Sequence, residues 1–220
     1  MPTPPQLPDA LRAAAATVFH YPALPHRRRH GPRGYVNDGL YKAWLRDEFC
    51  FRCVSCLCRE LWEPNGSDLF GVEHREARSV SAERAGDCDN LLCSCLMCNA
   101  CRREEPLPFD PSTVAPAMHL RMRAHGTLEA LTRDGRMLCD LYHLNRPALV
   151  RFRRFLLDLM DQLVNQPNPQ TERALRHILG IPDDLPNLRS RRPPGGNARP
   201  EGIDGSWFER RRRGELRAAY

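Results

Sequence analysis

The residues able to do chemistry are concentrated between Cys53 and Arg103. Two Cys-x2-Cys pairs, Cys53-Val54-Ser55-Cys56 and Cys95-Leu96-Met97-Cys98, enclose residues 57–94, 38 in all. That spacing suits the paired knuckles of a four-thiolate structural zinc site. Between the pairs stand Val72-Glu73-His74 and then Asn90-Leu91-Leu92, and Asn99 follows the second pair directly. A plain zinc ribbon needs neither the acid–histidine pair nor the asparagines. The surplus polar residues therefore point to a second chemistry beside the zinc.

The cysteine register has to be argued, because Cys50, Cys53 and Cys56, and again Cys95, Cys98 and Cys101, repeat every three residues. Cys50 ends an expected helix between Phe49 and Phe51, which favours Cys53, Cys56, Cys95 and Cys98 as the ligands. Cys50, Cys58, Cys88, Cys93, Cys101 and Cys139 are then small core residues, a role that free cysteine fills well. The other residues each have a plain reading when taken singly. Histidine beside glutamate is usually a surface pair, and asparagine after cysteine is often a turn residue.

In this order and spacing the segment resembles the HNH endonuclease family, whose pattern runs Cys-x2-Cys, Asp-His, Asn-Leu, Cys-x2-Cys-Asn. The likeness reaches upstream through Tyr41-Lys42-Ala43-Trp44-Leu45-Arg46-Asp47-Glu48-Phe49. It continues into Pro182-Asp183-Asp184-Leu185-Pro186 and Arg192-Pro193-Pro194-Gly195-Gly196-Asn197, as in bacterial HNH-domain proteins. The resemblance implies that His74 is the general base that activates water. Glu73 and Asn99 become ligands of a catalytic divalent cation, and Asn90 braces the loop under the histidine. Hydrolysis of a phosphodiester needs a deprotonated water, which histidine supplies near neutral pH, and a cation to neutralise charge on the phosphate. Hard oxygen ligands suit Mg²⁺ or Mn²⁺, whereas the thiolates belong to the zinc.

Two positions depart from the family pattern. Glu73 stands where the family usually has aspartate, and the extra methylene displaces the cation or the backbone. Arg102 and Arg103 replace a usual lysine, which favours planar, bidentate phosphate contacts. With Arg75 and Arg78 they are the expected nucleic-acid contacts.

Positioning these residues requires a small set of elements. Asn37 is expected to cap a helix running to about Phe49 that delivers the chain to the first knuckle. Pro64-Asn65-Gly66 marks a turn, Leu69–Val72 a short strand ending at Glu73-His74, and 75–89 a loop. Asn90–Cys95 is expected as a second strand and Met97–Arg103 as a helix. The result is a ββα unit too small to bury much apolar surface, in which metal substitutes for core. Further on, 126–135 reads as a strand closed by an Asp134-Gly135 turn. Pro147 opens a helix to about Val164, with Leu149, Phe152, Leu156, Leu159 or Met160, and Leu163 on one face. Thr171–Leu179, stopped by Gly180, is a shorter helix. The fold class is thus α+β: an irregular segment 1–34 with a short helix near 9–18, a nuclease domain 35–108 of ββα-metal type, a mostly helical domain 109–182, and a basic tail 183–220.

Composition bounds the function. No apolar run approaches the roughly 18 residues of a membrane span, and Ala13–Ala16 is too short for a secretion signal. Thiols committed to metal in a reducing cytoplasm are therefore expected. Formal net charge is +6. From Asn187 onward nine arginines face four acids, a surplus of five, so the tail holds most of it. Such a tail is read either as a nucleic-acid contact or as a segment anchored by Trp207 and Phe208 with its arginines solvated or paired. Metal-dependent cleavage of DNA, with RNA as the other polymer substrate, is the expected activity. A non-catalytic zinc module for nucleic acid or protein is the alternative. A thiol redox protein fits poorly, because neither Cys-x2-Cys pair opens a βαβ unit.

Overall fold

The computed structural model describes residues 7–216. Among them it is α+β, with seven α-helices and two small antiparallel sheets. Asn37 accepts a hydrogen bond from the Gly39 amide at 2.8 Å and starts a single 3₁₀ turn, Asp38–Tyr41, that runs into helix α2, Lys42–Glu48. Trp44 and Leu45 of α2 are buried, and the chain leaves it through Phe49 toward the first knuckle.

Strand β1, Phe70–His74, pairs antiparallel with β2, Leu91–Cys95. The register sets Phe70 opposite Cys95 and His74 opposite Leu91. Helix α3, Leu96–Arg102, follows β2 without a linker and packs on both strands. This hairpin and helix match the expected strand, loop, strand, helix order.

The second sheet is smaller: β3, Leu120–Met122, against β4, Leu128–Ala130. Here the expected strand closed by Asp134-Gly135 is corrected. Thr132 caps a helix by accepting from the Gly135 amide at 3.1 Å, and α4, Arg133–Leu141, begins where the turn was expected. Capping by a threonine side chain competes with a hairpin turn, and here it wins. Gly135 is required for another reason: a Cβ there would lie 2.1 Å from the His119 carbonyl oxygen. Helices α5, Pro147–Asn165, and α6, Pro169–Leu179, lie close to expectation, α6 starting in a reciprocal Asn168–Thr171 cap. One member of the buried face of α5 was not expected. Arg153 is fully buried and donates to the Leu144 carbonyl at 2.7 Å and the Cys56 carbonyl at 3.4 Å, tying α5 to the first knuckle.

The short helix expected near 9–18 is present, and the rest of the described N-terminal segment is irregular chain packed on the body. Helix α1, Asp9–Ala16, packs on α5 and α6 through Leu11, Ala14 and Ala15. One apolar cluster runs from Leu7 through the four cysteines Cys53, Cys56, Cys95 and Cys98 to Leu179, so the apolar core does not divide near residue 108. The His26–His30 strip docks on α2. His26 Nε2 lies 2.7 Å from Glu48 Oε1, and the amides of Arg29 and His30 donate to the same carboxylate. His30, wholly buried, meets Asp47 at 2.8 Å. The tail returns over this strip. The amide of Arg33 donates to the Gly196 carbonyl and the amide of Gly195 to the Arg33 carbonyl, both at 2.9 Å. Gly34, at φ +81°, allows that approach, since a Cβ would lie 2.6 Å from the Gly195 nitrogen. Helix α7, Trp207–Arg212, is seated by Trp207 against Phe51 and Leu185, and the Trp207 amide donates to Asp47 at 2.7 Å. The described part of the tail is therefore packed on the body; Arg217 lies outside the described residues. No helix among the described residues is long and apolar enough to cross a membrane.

Candidate functional site

The knuckles are made locally. After Cys53 the chain reverses through Leu57 at φ +64°, with the Cys53 amide donating to the Cys58 carbonyl at 2.9 Å. Cys95 ends β2 and Cys98 sits in the first turn of α3. The Sγ atoms of Cys53, Cys56, Cys95 and Cys98 all lie within 4.8 Å of one another, and all four residues are buried. A tetrahedron with Zn–S bonds of about 2.3 Å has S···S edges of about 3.8 Å. The Cys56 and Cys95 sulfurs are 3.7 Å apart, so the donor set fits a zinc ion. Hydrogen bonding to Cys53 pushes the Cys56, Cys95 and Cys98 thiols upward: four buried thiols cannot all ionise without a cation. Among the described residues this is the one group of three or more His, Cys, Asp or Glu side chains close enough to share an ion.

His74 ends β1 at the far side of the hairpin. Its Nε2 lies 3.1 Å from the Ala85 carbonyl oxygen and 3.5 Å from Asp38 Oδ2. A carbonyl oxygen only accepts, so the Ala85 contact calls for the ring proton on Nε2, while Arg78 Nε, 3.3 Å away, offers a donor to the same nitrogen. Nδ1 takes part in no hydrogen bond among the described residues, and the side chain is 13 % exposed. Burial lowers the His74 pKa from its ordinary value, the Ala85 carbonyl opposing and the Arg102 charge adding to the effect. The ring is therefore neutral near pH 7, as a base must be.

The loop 75–89 is held by Asn90. Its Oδ1 accepts from the Glu76 amide at 2.9 Å, and its Nδ2 donates to the carbonyls of Glu76 and Arg84 at 3.1 and 3.2 Å. The Asn90 carbonyl also accepts from the Arg75 amide at 2.7 Å. Both ends of the loop are thus pinned to one wholly buried side chain, and with them Ala85, which faces His74.

Glu73 lies elsewhere. It is 1 % exposed, and its Oε1 accepts from Arg102 at 2.9 Å and from the Tyr142 hydroxyl. Oε2 has no hydrogen-bond partner. Burial raises the Glu73 pKa, with the Tyr142 hydrogen bond and Arg102 pulling the other way. Mg²⁺ keeps several waters and needs octahedral room. A sealed oxygen beside a guanidinium offers neither, so Glu73 does not fit the cation role that the resemblance implies. Neighbouring residues of a strand point to opposite faces, which is why His74 can face the loop while Glu73 faces inward. Asn99 is half-buried in α3, and its side chain makes no hydrogen bond among the described residues.

The arginines separate by geometry. Arg102, 1 % exposed, is no surface contact: besides Glu73 it donates to the carbonyls of His74, Arg75 and Glu105. Arg75 pairs with Asp110 and Glu76. Arg78 is 58 % exposed at its side chain and pairs with Asp38. Arg103 is exposed at the end of α3, beside His143. In the tail, Arg199 makes a two-pronged contact with Asp89 at 2.7 and 2.9 Å. Arg189 and Arg212 pair with Glu209, Arg213 pairs with Glu215, and Arg211 donates to the carbonyls of Pro182 and Asp183. Arg210 stacks on Trp207. Trp207 and these contacts anchor the described part of the tail to the body.

Sequence reasoning missed Asp38 and Tyr142. Asp38 carried the signal of a capped turn, and Tyr142 lay 69 residues from its partner with no motif to mark it. Compared with known proteins, the chain matches no family model, no curated protein and no solved structure.

Proposed function

We propose that this chain is a phosphodiester hydrolase of the HNH endonuclease type acting on DNA, built on a zinc-held ββα unit, with His74 as the general base. The observation that carries this reading is the setting of His74. It stands at the end of β1 with Nε2 anchored on a loop carbonyl, Nδ1 without a hydrogen-bond partner among the described residues, and the loop pinned by Asn90. A neutral imidazole held this way can take a proton from a water molecule poised against a phosphorus atom. Arg78 and Arg103, exposed near the two ends of the site's elements, are the side chains a phosphate can reach. A divalent cation such as Mg²⁺ or Mn²⁺ would supply charge neutralisation at the phosphate, but Glu73 is not placed to hold it, and no step is assigned through it.

The buried Glu73–Arg102 pair favours a second reading, a zinc module that binds nucleic acid without cutting it. Plasmid cleavage in Mg²⁺, in Mn²⁺ and in EDTA separates the two. His74→Ala is expected to lose at least about a hundredfold in rate, the usual contribution of a general base. Its zinc content, thermal unfolding and DNA affinity should stay near wild type. Equal cleavage by the variant removes His74 as the base. DNA binding without cleavage by the wild-type protein leaves the second reading.

A further inference from the structure

We infer that Asp38, and not Glu73, is the carboxylate that serves His74: its charge beside Nε2, and its hold on the Arg78 guanidinium, keep the ring proton on Nε2 and leave Nδ1 free. The inference rests on the proposed role of His74, and it concerns which nitrogen is left to act.

Three groups converge on Nε2. Two are oxygens, Ala85 O in a hydrogen bond at 3.1 Å and Asp38 Oδ2 in a charge contact at 3.5 Å, and one is a donor, Arg78 Nε at 3.3 Å. Nε2 cannot both donate to the oxygens and accept from Arg78. What decides is the charge of Asp38, which binds the end of the Arg78 guanidinium and leaves its Nε the weaker competitor. Neutralise Asp38 and the balance reverses. A freed Arg78 donates to Nε2, the ring proton moves to Nδ1, and the nitrogen that should take a proton from water is occupied. The other charges near the ring do not substitute. Glu73 is closed by Arg102 and Tyr142, and Arg102 reaches the His74 main chain, not its ring.

Asp38 is placed for this by local structure. It opens the single 3₁₀ turn capped by Asn37, and that turn packs on β1. In the reaction, Nδ1 takes the water proton as the water oxygen bonds phosphorus. The bond from phosphorus to the leaving oxygen breaks, and that oxygen takes a proton from solvent. Asp38 forms no bond to substrate: it is a positioning residue, acting through the ring.

The test uses full-length protein loaded with zinc. Long-range ¹H–¹⁵N spectra near pH 8 report which ring nitrogen of His74 is protonated, whether or not the protein cuts DNA. Wild type is expected to show the Nε2–H form, Asp38→Asn the Nδ1–H form or a mixture, and Asp38→Glu, which keeps the charge, the wild-type form. In cleavage assays Asp38→Asn should lower kcat by about a hundredfold, the order of loss that a misplaced catalytic group causes, with KM nearly constant. Adding Arg78→Gln to Asp38→Asn should return the Nε2–H form, because the competing donor is gone. An unchanged ring form in Asp38→Asn, or failure of Asp38→Glu to keep it, overturns the inference. Absence of cleavage by wild type removes the hydrolase reading alone, and the ring spectra still decide the role of Asp38.

Discussion

The β1–β2 hairpin carries a centre at each end, and the two are built on opposite plans. Five-residue strands separate them by four steps of about 3.4 Å. At the Phe70–Cys95 end, four thiols from two short knuckles close around a point, all buried. At the His74–Leu91 end, the ring lies against Asp38, Ala85 and, through the loop, Asn90, and Nδ1 has no hydrogen-bond partner among the described residues. A closed centre can be made from local turns, because each knuckle presents two ligands by its own backbone geometry. An open centre needs partners from several parts of the chain, since nothing local fixes a side chain that must also face solvent. Arg102 joins the two plans, lying on the helix that begins at the second knuckle and clamping the strand end that bears His74.

The sharpest way to break this comparison is at the closed end. Cys95→Ser should lose zinc and the fold together, because structural zinc contributes about 10 kcal/mol or more to folding in small zinc modules. Metal analysis and circular dichroism of reduced protein check it. A variant that stays folded without zinc shows that the apolar cluster, and not the metal, holds the hairpin.

A smaller effect is expected at the joint. Arg102→Ala leaves Glu73 buried without its cation and should cost about 3–5 kcal/mol. Tyr142→Phe removes one hydrogen bond to the same carboxylate and should cost about 1–3 kcal/mol. Urea unfolding measures both. A loss below about 1 kcal/mol for Arg102→Ala would mean that Glu73 is held by something else, and would reopen it as a cation ligand.

The tail gives the smallest expected effect on DNA binding. Deleting residues 206–220 removes Trp207 from its seat on Phe51 and the amide from Asp47, at a cost of about 3 kcal/mol, as for other buried aromatics. The dependence of log K on log salt should stay unchanged, because each lost phosphate contact would shallow the slope by about 0.9. Salt titrations of both forms decide, and a shallower slope returns the tail to the DNA interface.

Much of the closed centre and its elements was legible in the sequence. Cys-x2-Cys spacing, the Asn37 and Gly180 boundaries, Pro147 and the apolar period of α5 are signals carried by a few neighbouring residues. Asp134-Gly135 misled because two local readings competed, and the Thr132 cap decided between them. At the open centre the residue types were legible and their partners were not. Glu73 and Arg102 looked like a ligand and a phosphate contact, yet they face each other in the interior.

What the sequence determined by itself is the set of groups whose geometry the local backbone imposes: the four thiols, the ββα order, and the main helices with their caps. The tertiary structure alone decided which face each polar side chain meets. It sealed Glu73 under Tyr142 and Arg102, engaged the tail arginines, and brought Asp38 to His74. The physical reason is range. Hydrogen bonds of a turn or cap act over a few residues, whereas the burial and charge that assign a carboxylate its partner depend on which distant segments the apolar core draws together.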